Sequence, residues 1–181
     1  MKNVLDVEKG LTLDPDDNGN WTGGAKGVGQ LKGTNCGISC ASYPNEDIKN
    51  MTPQRAKAIY KKNYWDKVRG DELPWKLAAP LFDAGVNEGT GTAIIQLQQA
   101  LGVKADGGFG DETMAALKAS DQDKVLKQFM ANQLAYKKTL KNWWKYGEGW
   151  TNRINQTLAD ANKPPPTDTQ GFPEVPDAVK E

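Results

Sequence analysis

The sequence predicts a mainly α protein, and three observations carry that expectation. Apolar residues recur at helical spacing in one segment after another from residue 52 onward. Residues that start and stop helices bracket those segments, and no series of alternating strands appears. Hydrophobic residues make up 38% of the 181 and include six Trp, enough to build a buried core.

The first ten residues form a short helix candidate ending at Gly10. Asp14 to Gly33 is rich in Asp, Asn and Gly with no period of either kind, and is expected as a loop. At Thr52-Pro53 a helix should begin, because Thr caps free N–H groups and Pro fits the first turn. Ala56, Ile59, Tyr60 and Asn63-Tyr64 continue it as an amphipathic helix over residues 52 to 65. Pro74-Trp75 opens the next, with Leu77, Leu81, Ala84, Gly85 and Glu88 along one side. Pro80 marks either its true start or a kink. Thr92 to Leu101 reads as a helix closed by Gly102, Asp106 to Gly110 as a turn, and Asp111 to Ala119 as a short helix. The longest helical pattern runs from Asp121 to Trp144 through Val125, Phe129, Leu134, Tyr136 and Leu140. Trp150 to Asn162 is the last, stopped by Pro164-Pro165-Pro166. The Pro-rich, charged remainder through Glu181 is expected as a disordered tail.

Composition excludes several function classes. Lys and Arg number 23, as do Asp and Glu, so no global charge draws the chain to nucleic acid, and no reader motif is present. The local balance is uneven. Asp123 to Arg153 carries Lys124, Lys127, Lys137, Lys138, Lys141, Lys145 and Arg153 against Asp123 and Glu148, while the last 28 residues are acidic. Histidine is absent, which removes Ser-His-Asp and Cys-His catalysis and His-based zinc sites. Acid–base work is left mainly to carboxylates. Cys36 and Cys40 are too few for a disulfide framework or a four-cysteine zinc site, and are expected as reduced thiols. Acidic residues stand near the N-terminus where a signal peptide needs an apolar run, so synthesis without an export signal is expected. No segment approaches the ~18 apolar residues of a membrane span.

Glu8 is the most informative acid. On a helix it falls four after Val4, three after Leu5 and three before Leu11, on the apolar stripe. A carboxyl on such a face is either solvated on a frayed end or buried with a raised pKa, and the second state suits a general acid. Asp14, Asp16, Asn18 and Gly19 match the opening of a calcium-binding loop. Its twelfth position is Ala25 where a bidentate Glu is required, so no metal is expected, and no cofactor either. The same loop supplies a second carboxylate, which glycoside hydrolysis commonly needs. The Gly-rich stretch from Gly23 to Thr34 misses both phosphate-loop and dinucleotide spacings and reads as a flexible flap.

Several blocks taken in order resemble glycoside hydrolase family 108, peptidoglycan muramidases found among phage endolysins. They are Glu8-Lys9-Gly10, Asp14-Pro15-Asp16-Asp17 and Thr34-Asn35-Cys36-Gly37-Ile38-Ser39. Thr52-Pro53 through Tyr60 with Tyr64-Trp65 looks like the second block of that family, and Leu81 to Gly89 like its third. Leu97 to Val103, Asp106 to Gly110 and Thr113 resemble the peptidoglycan-binding module that accompanies it, closed by Gly149-Trp150-Thr151-Asn152-Arg153. Two departures stand out: Lys9 replaces the first Gly after the acid, and a Gly-rich insertion separates Asp17 from Thr34.

The resemblance implies a compact, lysozyme-like helical hydrolase with a catalytic region over residues 1–92. A peptidoglycan-binding-like helical region over 93–163 would pack on it, followed by a tail over 164–181. It implies cleavage of the bond between N-acetylmuramic acid and N-acetylglucosamine, with Glu8 protonating the leaving oxygen. Asp17, or less directly Asp14, would stabilise positive charge or orient water, and Thr34 would position that water. Thr22 competes with Thr34, which is preferred because Asn35, Gly37 and Ile38 follow it. Asp14 and Asn87 are candidate substrate contacts, Asn87 reading equally well as a solvated amide. Inversion and retention both remain open, as does a cleaving transglycosylase, which needs one Glu alone. Lys9 favours a non-catalytic peptidoglycan-binding rival. The resemblance further implies a monomer made in a host cytoplasm and released to the wall by a separate holin-type protein.

Lys137 to Tyr146 interleaves cations with Trp143, Trp144 and Tyr146. It reads either as an aromatic plug rimmed by lysines or as a contact for anionic wall polymer, outer membrane or membrane surface.

Overall fold

A computed structural model describes residues 10–164. The first nine residues, Glu8 among them, and residues 165–181 lie outside the described part, as do the expected N-terminal helix and the expected tail. Packing divides the chain into two compact units, one ending at Lys61 and one beginning at Lys62.

The first unit is a long loop region closed by a helix. Its hairpin pairs β1 (Thr34–Asn35) with β2 (Ile38–Ser39) antiparallel, Thr34 opposite Ser39 and Asn35 opposite Ile38. Cys36 at φ 50° and Gly37 at φ 75° make the two-residue turn, the positive-φ pair that matches strand twist. Strands of two residues are too short to show alternation, which is why the sequence pattern hides them. Isolated bridges join Thr12 to Thr34 and Trp21 to Leu31, so the expected loop from Asp14 to Gly33 folds back on itself twice. Gly33 permits the first closure: a Cβ there would lie 2.2 Å from the Thr12 carbonyl oxygen.

Helix α1 (Pro53–Tyr60) begins as the sequence predicts, with Thr52 Oγ1 accepting from the Arg55 N–H at 3.2 Å. A π-helical turn, Lys61–Trp65, carries the chain to the expected end. Ile38, Cys40, Ile48, Met51, Ala56, Ile59 and Tyr60 form this unit's buried core.

The second unit is helical. Helix α2 (Trp75–Glu88) starts after Pro74 and contains Pro80 in its interior, so Pro80 is not the start. Helix α3 (Thr90–Leu101) follows after Gly89 and ends on Gly102 at φ 71°, whose successor Val103 donates to the Gln98 carbonyl at 3.1 Å. Helix α4 (Asp111–Ala119) keeps its expected bounds. Helix α5 (Gln122–Thr139) is capped by Asp121, which accepts from Asp123 N and Lys124 N.

Two expected boundaries are corrected. Helix α5 ends at Thr139 rather than Trp144, and α6 (Trp143–Ala161) begins seven residues before Trp150. Gly147 and Gly149 both lie inside α6. At Gly147 the missing side chain makes room for the Trp143 indole, which a Cβ would approach to 2.7 Å.

Helix α2 packs on α3, α5 and α6, α3 on α4 and α5, and α5 on α6. Leu77, Leu81, Phe82, Ile94, Leu97, Leu117, Leu126, Phe129 and Trp150 fill the space between them. Trp65 meets Phe82 edge to face at 5.8 Å and donates to Asp71 Oδ1 at 2.7 Å. The expected division between residues 92 and 93 falls inside α3, whereas the compact units part at Lys61.

Candidate active site

Three of the five residues singled out from the sequence lie together in the first unit. Asp14, Pro15, Asp16 and Asp17 form a tight turn in which each carboxylate has a local partner. Asp14 Oδ1 accepts from the Asp16 N–H at 2.9 Å, and Asp16 pairs with Lys26. Asp17 Oδ1 accepts from the Gly19 N–H at 2.8 Å and so caps the 3₁₀ turn Asn18–Asn20. One carboxylate oxygen of Asp17 is thereby held, which fixes the direction in which the other is presented.

That turn delivers Asn20, which is fully buried and organises the whole region. Its Nδ2 donates to the Asp14 carbonyl at 3.0 Å, and its Oδ1 accepts from the Thr34 hydroxyl at 2.7 Å. Its backbone carbonyl accepts from the Lys32 and Gly33 N–H groups, both at 3.1 Å, and its own N–H donates to the Asp17 carbonyl at 3.1 Å. Because the Asp14 carbonyl can only accept, the amide must place Oδ1 toward Thr34, and the Thr34 hydroxyl must donate. Its lone pairs are then turned away from Asn20, ready to accept from water or a sugar hydroxyl. Thr34 is further held by reciprocal backbone bonds with Thr12, at 2.9 and 3.0 Å. The arrangement links Asp14 and Thr34 through the buried side-chain amide and Asp17 through the backbone of the same residue.

Thr22 has a different task. Its Oγ1 accepts from the Gln30 N–H at 2.9 Å and its N–H donates to the Gln30 carbonyl at 3.0 Å, closing the Gly-rich excursion. The excursion expected as a flexible flap is a folded loop. Trp21 Nε1 donates to the Pro15 carbonyl at 2.9 Å, and the Lys26 N–H donates to Asn18 Oδ1 at 3.0 Å.

Behind the hairpin, the Tyr60 hydroxyl donates to the Gly37 carbonyl at 3.0 Å, and burial pushes its pKa up. Burial also raises the Cys36 thiol, and neither cysteine is in a disulfide. An open groove of about 580 Å³ in the same unit is lined by Leu11, Leu13, Leu31, Lys32 and the stretch from Asn45 to Lys49. Asp14, Asp17 and Thr34 are not among its walls.

Asn87 belongs to the second unit. Its Nδ2 donates back to the Asp83 carbonyl one turn earlier at 2.7 Å, and Asp83 is paired with Arg153 at 2.7 Å. Arg153, from the Gly-Trp-Thr-Asn-Arg block, thus fastens α6 to α2, and Trp150 is buried beside it. Glu8 lies outside the described residues.

The sequence reading missed Asn20, which sits between Gly19 and Trp21 in a stretch of polar turn residues. No local signal marks it, since Lys32, Gly33 and Thr34, which help enclose it, lie more than ten residues along the chain. It also missed Gln98, a buried amide that pins the turn after α3. Its Nε2 donates to Asp106 Oδ1, the Gly108 carbonyl and Thr113 Oγ1, while its Oε1 accepts from the Gly107 N–H. A glutamine one turn before the helix-ending Gly102, eight residues ahead of the Gly-rich corner at Asp106, was the available signal.

Residues 1–89 match the model of the family described as Glycosyl hydrolase 108. Among solved structures, that of SagA from Brucella abortus is similar at 29% sequence identity, covering 87% of this chain and 88% of that chain with a TM-score of 0.70. No curated protein matches this chain.

Proposed function

We propose that this chain, which belongs to glycosyl hydrolase family 108 through its residues 1–89, is a peptidoglycan hydrolase of the N-acetylmuramidase type. The family match carries the reading, because it spans Glu8 and the Asp14-to-Thr34 region together. Glu8 protonates the oxygen of the N-acetylmuramic acid to N-acetylglucosamine bond as it breaks. Asp17 faces the developing positive charge or the attacking water, and Thr34 accepts a hydrogen bond from that water. One observation favours Thr34 over its rival, while Asp17 and Asp14 are alike in having one carboxylate oxygen held by a backbone N–H. Thr34 is oriented by Asn20, whereas the Thr22 oxygen is already used by Gln30. Residues 93–163 supply contact with the wall, and the enzyme acts where the wall is exposed to it.

The test is clearing of purified peptidoglycan by the wild type beside Glu8→Gln, with folding checked by circular dichroism. Loss of the general acid should slow clearing on the order of 10²–10⁴-fold at unchanged ellipticity. A folded Glu8→Gln protein that clears walls at the wild-type rate removes Glu8 from the mechanism. If neither protein clears walls but both pellet with them, the chain binds wall without cutting it, as the cation Lys9 beside Glu8 would favour.

A further inference from the structure

The α5–α6 corner is the one place where the structure separates a plug from a surface. Trp143 and Tyr146 pack on the buried Trp150, with ring centroids 6.2 and 5.7 Å from it. Lys137 is spent as well: its ammonium pairs with Glu88 at 3.3 Å and lies 5.1 Å from the Trp150 ring centre. These three residues are half-buried and turned toward Trp150. Trp144 is 82% exposed, whereas Trp65 and Trp150 are 1% and 6% exposed.

Near it in the chain are Lys138 on the last turn of α5, Lys141 in the connecting turn and Lys145 on α6, all exposed, the Lys145 ammonium resting 4.9 Å from the half-buried Tyr146 ring centre. From Lys124 to Gly147 the chain carries cations and no acid, and Glu148 is the first carboxylate beyond. An indole in water gains by entering an apolar–polar boundary, and flanking ammonium groups gain by meeting phosphate there. A protein partner would ordinarily require a wider apolar patch than one indole. A phospholipid surface requires only an aromatic to enter it and cations to meet its headgroups.

We propose that this corner is a docking site for an anionic phospholipid bilayer, with Trp144 inserted at the headgroup level and Lys138, Lys141 and Lys145 over the phosphates. The surface lies apart from Asp14, Asp17 and Thr34 in sequence and is built within the second unit, so it serves to concentrate the enzyme rather than to cut.

Full-length protein is sedimented with vesicles of phosphatidylcholine alone and of phosphatidylcholine with 30% phosphatidylglycerol, at low and at high salt. Binding to the anionic vesicles should exceed binding to the neutral ones, and salt should weaken it. At about fivefold per lysine, Lys138→Gln, Lys141→Gln and Lys145→Gln together should lower partitioning on the order of a hundredfold. Trp144→Ala should lower it severalfold, and brominated lipid should quench wild-type fluorescence more than that of Trp144→Phe. Equal binding to both vesicle types, or anionic binding indifferent to Trp144 and the three lysines, overturns the proposal. Salt-sensitive binding to wall polymer without binding to vesicles overturns it in favour of a polymer site.

Discussion

Asn20 shows how a single buried amide can determine the chemistry offered by its neighbours. Its side chain joins Asp14 to Thr34, its backbone receives Lys32 and Gly33, and no water can replace it because it is fully enclosed. Asn20→Ala should cost about 1–3 kcal/mol in chemical denaturation, since the Asp14 carbonyl and the Thr34 hydroxyl lose their partner. Thr34→Val should cost less in stability and slow wall clearing roughly tenfold, the value of one hydrogen bond to a reacting water. In a double-mutant cycle the two changes should couple by at least about 0.5 kcal/mol, and additivity would show that the amide does not hold the hydroxyl. The candidate site was half legible in the sequence. Asp14, Asp17 and Thr34 stand out as residue types able to do the chemistry, at positions that match a family. Asn20 does not, because Lys32, Gly33 and Thr34 reach it from elsewhere in the chain.

At the scale of elements, legibility followed the caps. Thr52-Pro53, Gly102 and Asp121 each terminate a helix by a local hydrogen-bonding device, and the structure places all three where that chemistry requires. The corner between α5 and α6 lacks such a device: Asn142 precedes α6 without a side-chain cap. Gly147 is retained for packing. In an exposed helix Gly→Ala would stabilise by up to about 1 kcal/mol. At Gly147 the Trp143 ring reverses the sign, and Gly147→Ala should destabilise by about 1–3 kcal/mol as the indole is displaced. Gly70 makes the same case more severely, with the Trp65 ring 2.3 Å from the position of an added Cβ. Thermal melts of both variants check this, and an unchanged or raised midpoint for either would show that the rings yield without cost. The hairpin at Thr34 to Ser39 remained hidden for a different reason, being too short for any period to register.

For the whole molecule, the second unit is held by a polar seam as well as by its core. Glu88 on α2, only 2% exposed, accepts from Gln96 of α3 at 2.7 Å and pairs with Lys137 of α5, which in turn faces Trp150 of α6. Burial raises the Glu88 pKa despite the nearby ammonium, and the Asp83 carboxylate adds to the rise. A carboxyl with a raised folded pKa binds its proton more tightly in the folded state, so it loses stability as pH rises from the unfolded value through the folded one. Stability of the wild type relative to Glu88→Gln should therefore improve as pH falls from neutrality toward 4.5. Urea titrations of both proteins at several pH values measure the gap, and a gap that is flat or moves the other way would show that Glu88 stays charged throughout.

The central claim concerns bond cleavage, and it is tested most directly by the identity of the new sugar ends. Purified peptidoglycan is digested with the wild type, reduced with borohydride and examined by mass spectrometry. Fragments ending in reduced N-acetylmuramic acid, absent from a Glu8→Gln digest, are the predicted result. Ends of reduced N-acetylglucosamine, or anhydro ends that resist reduction, would contradict hydrolysis at the proposed bond.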